Sequence, residues 1–90
     1  MSEPMHLRYD QASDVLYVST DNAGPGYGEE ADAPGLVWRY RDDDDSLMGV
    51  TVMDFGSYWR PRLPQLVEEF SAHFGLAPHV VRGVLEAALV

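Results

Sequence analysis

The sequence predicts an α+β fold: a four-stranded antiparallel β-meander followed by two C-terminal α-helices packed on one face. Three observations predict it. Two apolar runs of period two flank a turn bracketed by Asp10 and Asp14. A second such pair flanks the acidic run Asp42 to Asp45. Beyond Pro64 the apolar period lengthens to that of a helix.

The elements follow in order. Residues 5–10 alternate, with Met5, Leu7 and Tyr9 on one face and His6, Arg8 and Asp10 on the other, the pattern of a half-buried strand. Residues 15–20 open on Val15, Leu16, Tyr17 and Val18 and read as an inner strand covered on both faces. Asp10 and Asp14 bracket the link between these strands. Both are assigned to turn capping, because an Asp carboxylate accepts hydrogen bonds from nearby backbone N–H groups. Residues 21–34 contain Gly24, Pro25, Gly26, Gly28 and Pro34 and read as a loop, in which Tyr27 to Ala31 can pair as a short irregular edge strand. Residues 35–41 set Leu36, Trp38 and Tyr40 on one face. Residues 47–54 set Met48, Val50 and Val52 opposite Leu47, Thr51 and Met53. The polar link from Asp42 to Ser46 makes these two strands a hairpin. Pro64 opens a first helix with Leu66, Val67, Phe70 and Phe74 on one face, and Gly75 ends it. Pro78 opens a second, with Val80, Val81, Val84, Leu85, Ala88 and Leu89 in one stripe.

The chain reads as a single domain over residues 1–90, with a β core at 5–55 and a helical hairpin at 57–90. A domain of this length buries only about 60–65% of the surface its unfolded chain exposes, so its core is thin. The formal net charge is −9, from six Arg and fifteen Asp and Glu with no Lys. Such a surface repels nucleic acid phosphates and anionic lipid, and favours basic partners. The charge is uneven: the first 56 residues hold twelve acids and three Arg, the remainder three of each. Lys and Ile are both absent, as in proteins from GC-rich bacterial genomes. Without cysteine the chain has neither disulfides nor thiolate metal ligands. No apolar run approaches the roughly 20 residues of a membrane-spanning helix, and Met1 to Pro4 carry no signal pattern. The expectation is a soluble, cytoplasmic protein with no membrane association.

The stretch Tyr9-Asp10-x-x-x-Asp14-x-Leu16-Tyr17 resembles the opening motif of a small bacterial and archaeal family, protein of unknown function family 2283. So does the later run Gly35-Leu36-Val37-x-x-Tyr40, an acidic turn, then Leu47-Met48-Gly49-Val50-x-Val52-x-Asp54. The resemblance covers about residues 5–55. It implies a four-stranded antiparallel sheet, often followed by helices, and no catalytic residue. Because some members are encoded beside small toxin-like proteins, it also implies an antitoxin-like or partner role. The Gly- and Pro-rich loop at 21–34 and the tail from residue 57 depart from the family pattern.

No constellation in the chain carries recognisable catalysis, and the expectation is a non-enzyme without cofactor or metal. Four adjacent acids at Asp42 to Asp45 lack the alternating spacing, Gly and distal Glu of a calcium loop and read as a solvated turn. Asp10 and Asp14 could serve as an acid–base pair, but capping is the simpler reading. His6, His73 and His79 lack ligand spacing. The aromatic group of Trp38, Tyr40, Tyr58 and Trp59 reads as core or interface. The stripe on the last helix requires cover, so the expectation is a homodimer whose interface includes Tyr58, Trp59, Val81, Val84, Leu85, Ala88 and Leu89. The favoured function is therefore a non-enzymatic protein-interaction or regulatory module, partnered with a basic protein. The alternative is a DNA-binding regulator using a helix-turn-helix-like segment at 64–89. That segment offers only His79 and Arg82 near the start of its second helix, a poor footprint for nucleic acid.

Overall fold

The structure is a computed structural model that describes residues 5–22, 24–31 and 34–88. Five strands form one antiparallel sheet: β1 (His6–Asp10), β2 (Val15–Ser19), β3 (Gly26–Glu30), β4 (Leu36–Arg41) and β5 (Leu47–Met53). A π-helical turn (Phe55–Trp59) and a short 3-10 turn (Arg60–Arg62) lead into α1 (Leu63–Phe74) and α2 (Pro78–Ala88). None of the described helices is long and apolar enough to cross a membrane.

Two features of the expected sheet are corrected. It has five strands, because residues 26–30 pair along their whole length with β4 instead of lying in a loop. The strand order is β1-β2-β5-β4-β3, so β2 neighbours β5 and the sheet is not a simple meander. The reason is burial. Leu16 and Val18 of β2 pair with Val52 and Val50 of β5, and all four are almost fully buried. An inner position rewards such side chains. β3, with two glycines and two glutamates, has little to bury and takes the edge. Gly26 also meets β4 closely, since a Cβ there would overlap the Tyr40 carbonyl oxygen.

The segment from β2 to β3 therefore crosses the end of the β4–β5 hairpin and is tied to it. The Thr20 N–H donates to the Met48 carbonyl (2.8 Å), and the Asp42 N–H donates to Pro25 (3.0 Å). The Asn22 amide donates to Ser46 Oγ (2.7 Å) and to the Leu47 carbonyl (3.3 Å).

A bulge alters the inner face of the second hairpin. Arg39 pairs with Gly49 but Tyr40 pairs with Leu47, so Met48 is the extra residue. Leu47 consequently packs on the main core with Tyr40, while Met48, although buried, lies outside that cluster. The simple alternation expected for residues 47–54 breaks at this point.

Both helices cover one sheet face. The core joins Leu16, Val18, Leu36, Trp38, Val50 and Val52 of the sheet to Phe55 and Trp59 of the π-helical turn. Leu66, Val67 and Phe70 of α1, Val81 and Leu85 of α2, and Met5 just before β1 complete it. α1 lies against β4, where the Trp38 ring meets Phe70 at 5.9 Å and Phe74 at 5.8 Å, edge to face. α2 lies beside β1, where Leu7, Tyr9, Val84 and Ala88 line a common hollow. Gly75, in the left-handed conformation, ends α1 and donates its N–H to the Ser71 carbonyl.

Candidate functional site

Asp10 and Asp14 both serve turns, in different ways. Asp10 Oδ1 accepts the Ala12 N–H at 3.1 Å, an Asx turn inside its own loop. Asp14 adopts a left-handed backbone (φ 58°) and turns its carboxylate toward the π-helical turn. Its Oδ1 accepts from the Tyr9 hydroxyl (2.6 Å) and the Gly56 N–H (2.7 Å). Its Oδ2 accepts from the Ser57 N–H (3.1 Å) and the Ser57 hydroxyl (2.9 Å). Its carbonyl accepts the Phe55 N–H. The Tyr9 hydroxyl first, then the Gly56 N–H, hold the Asp14 carboxyl down at about 2. A group so acidic, with both oxygens engaged, is no general base near neutral pH. Asp14 is thus a long-range cap that closes the turn after β5 onto the turn after β1.

Asp43, Asp44 and Asp45 of the β4–β5 turn hold side-chain partners, and Arg41 serves two of them, Asp43 and, at 4.0 Å, Asp44. Asp43 takes a bidentate pair from Arg41 (2.9 and 2.7 Å). Asp44 accepts from the Ser46 N–H and hydroxyl, and Asp45 from the Tyr27 hydroxyl. Among the described residues no group of three or more His, Cys, Asp or Glu could hold a metal ion. His6 lies 2.6 Å from Asp21, His73 is on α1, and His79 is exposed at the start of α2.

The tail residues expected at a subunit interface sit largely inside the single chain. Trp59, Val81 and Leu85 are buried, and Tyr58, Val84 and Ala88 pack half-buried against the core. Leu89 lies outside the described residues. α1 and β1 pack against α2, so the part of the stripe at Val81, Val84, Leu85 and Ala88 gives no reason for a second subunit. On the outward side of α2, Arg82 and Glu86 offset each other in charge, which leaves no basic row for phosphate.

The cleft with the most chemistry was not singled out from the sequence. It measures about 300 Å³ and is lined by Glu29, Glu30 and Ala31 at the end of β3, Trp38 and Tyr40 of β4, and Glu69 and His73 of α1. The His73 ring stacks on Trp38 with centroids 3.7 Å apart and planes 11° apart. His73 Nδ1 is 2.9 Å from the Glu69 carbonyl oxygen, which fixes the ring one helical turn below Glu69. The Trp38 indole N–H is buried and lacks an acceptor among the described residues. Packing and the His73 stack therefore hold that ring, not its polar edge. Glu29 shares the sheet face of Trp38 while Glu30 faces the other way, so two carboxylates, Glu29 and Glu69, stand beside the rings, an environment for a cation. Trp38 and Tyr40 were visible as an aromatic pair on one strand face. Their meeting with Glu69 and His73 depends on where α1 docks.

The family model described as protein of unknown function (DUF2283) matches residues 6–55, more than half of the chain. The chain belongs to this family. No curated protein and no solved structure matches it. The DUF2283 match runs from β1 to Phe55 and includes Tyr9, Asp10 and Asp14. It stops just before Gly56 and Ser57, which complete the Asp14 cap. The cleft likewise combines DUF2283 strands with α1 from outside the matched stretch.

Proposed function

We propose that this chain is a non-enzymatic protein-interaction or regulatory module that engages a basic protein through the Trp38–His73 cleft. An antitoxin-like partnership with a small basic protein is one form of this reading. The observation that carries it is the meeting of Glu29 and Glu69 beside the Tyr40 and His73 rings, in a chain of net charge −9. A guanidinium or ammonium group entering there would meet the Tyr40 and His73 rings between the Glu29 and Glu69 carboxylates, a pairing favourable to Arg in particular. The surrounding negative charge would speed encounter with a basic partner and make binding sensitive to salt.

Titration with a short Arg-rich peptide, followed by two-dimensional NMR, tests the proposal. The expected result is a set of shifts centred on the Trp38 indole and the His73 ring, weakened by added salt and lost in the Glu29→Gln/Glu69→Gln double variant. Shifts centred on the Asp42 to Asp45 turn, or unaltered in that variant, would overturn the cleft as the site. No feature of α2 favours the DNA-binding alternative.

A further inference from the structure

We infer that the sheet face opposite the helices is a two-fold interface between two copies of this chain. It lies on the other side of the sheet from the Trp38–His73 cleft and shares only Glu30 with its rim, and the inference does not depend on how that cleft is read.

The helices cover only the face that carries Leu16, Val18, Val50 and Val52. On the other face the strand pairing sets one row straight across all five strands: Arg8, Tyr17, Thr51, Val37 and Glu30. The neighbouring rows hold Asp10, Val15 and Met53 on one side and His6, Ser19, Gly49, Arg39 and Gly28 on the other. The second of these is polar or bare, but beside it the face presents Tyr17, 38% exposed, and Met53, 42% exposed, with Val15 and Val37 half-buried between them. Tyr9 and Tyr27, comparably exposed, use their hydroxyls on Asp14 and Asp45. Tyr17 and Met53 have no hydrogen bond of that kind among the described residues.

The ends of the long row identify the occupant. Arg8 stands at the β1 edge, its guanidinium 5.0 Å from the Tyr17 ring centroid, and Glu30 stands at the β3 edge. β5 is the middle strand. A two-fold axis running along β5 between two facing sheets exchanges the edges. It places Arg8 of each copy opposite Glu30 of the other, Tyr17 opposite Val37, and Thr51 and Met53 next to their own counterparts. A two-fold axis across the strands would instead set Arg8 against Arg8. Charge therefore selects the aligned face-to-face packing that two twisted sheets adopt at about 10 Å separation. The contact covers on the order of 1,000 Å² in total, the size of weak, reversible interfaces.

Sedimentation velocity over a concentration series tests this. Wild type is expected to pass from monomer to dimer across the micromolar range. Arg8→Glu and Glu30→Arg, each alone, should weaken the dimer by about tenfold or more, since each sets like charges opposite one another twice. An equimolar mixture of the two single variants should dimerise again, because every contact then pairs opposite signs. Tyr17→Arg should give monomer that keeps its fold by circular dichroism, with a somewhat lower melting temperature because the new guanidinium would stand opposite Arg8. A wild type that remains monomeric at millimolar concentration overturns the inference. So does a dimer insensitive to Tyr17→Arg, or a mixture that stays monomeric. Arg8 lies outside the cleft lining, so loss of dimer in Arg8→Glu with peptide binding intact separates this surface from the proposed function.

Discussion

The two Asp-rich turns are built from the same residue and used in opposite ways. After β1, one carboxylate, Asp14, gathers four hydrogen bonds, from Tyr9 close by and from Gly56 and Ser57 more than forty residues on. After β4, consecutive carboxylates are shared out, and the bonds and ion pairs of Asp43 and Asp44 run to residues no more than three positions away. The difference teaches what a carboxylate contributes to a fold. A bond across two residues can form in the unfolded chain as well, so it adds little to stability. A bond across forty residues exists only in the native state. Both Asp14 and Asp43 are held at about 2, yet by different causes: the Tyr9 hydroxyl and turn N–H groups for the first, the Arg41 guanidinium for the second. Only the Asp14 shift depends on the whole fold.

The largest expected effect follows from removing the long-range cap. Asp14→Ala strips the acceptor from Tyr9, Gly56 and Ser57 together, and calorimetry should show a melting temperature lower by several degrees. If Asp14→Ala and Asp43→Ala melt alike, the contrast between the two turns is wrong. Gly56→Ala comes next. A Cβ there would stand 2.9 Å from Asp14 Oδ1 and 3.1 Å from the Tyr9 hydroxyl, so the cap must shift and the melting temperature should fall, by less than in Asp14→Ala.

The third expectation concerns acid. The folded Asp14 carboxyl lies near 2, below its ordinary 3.8. Its contribution is therefore complete above the unfolded value and is lost as pH falls through 3.8 toward 2. Tyr9→Phe removes the leading cause, so NMR titration should find the Asp14 carboxyl moved up toward 3.8, with a correspondingly shallower loss of stability in that window. A carboxyl still near 2 in Tyr9→Phe would assign the shift to the turn N–H groups instead. The smallest effect is expected at the other turn. Asp43→Ala breaks an exposed pair with Arg41 and should move the melting temperature by about a degree at most, with a further decrease of that effect in salt.

Much of the architecture was legible because periodicity reports which face of an element is buried. Alternation in 5–10 and 35–41, the Asp-bracketed turns, and the helical spacing from Leu66 to Phe74 each reflect local geometry that a short window of sequence must satisfy. Left-handed backbone at Asp14, Asp45 and Asp54 is of the same kind, since Asp tolerates that conformation better than most residues. The glycine-rich β3 was harder to see, because its pairing relies on backbone closeness at Gly26 and not on apolar side chains of its own.

Which elements meet was decided by the tertiary structure alone. Periodicity cannot say that β2 pairs with β5 instead of β3. That choice is made by the burial gained when Leu16 and Val18 meet Val52 and Val50 across more than thirty residues. The bulge that turns Met48 out of the main core is invisible until Arg39 and Tyr40 have their partners. The same holds for the tail: its apolar stripe was plain, but only the docked helices show that Val81 and Leu85 join the protein's own core. The cleft is the extreme case, with Glu29, Trp38 and His73 contributed by three separate elements. Sequence determines the faces, because each face is a local property; contacts between faces are a sum over the whole chain, and only the folded arrangement evaluates it.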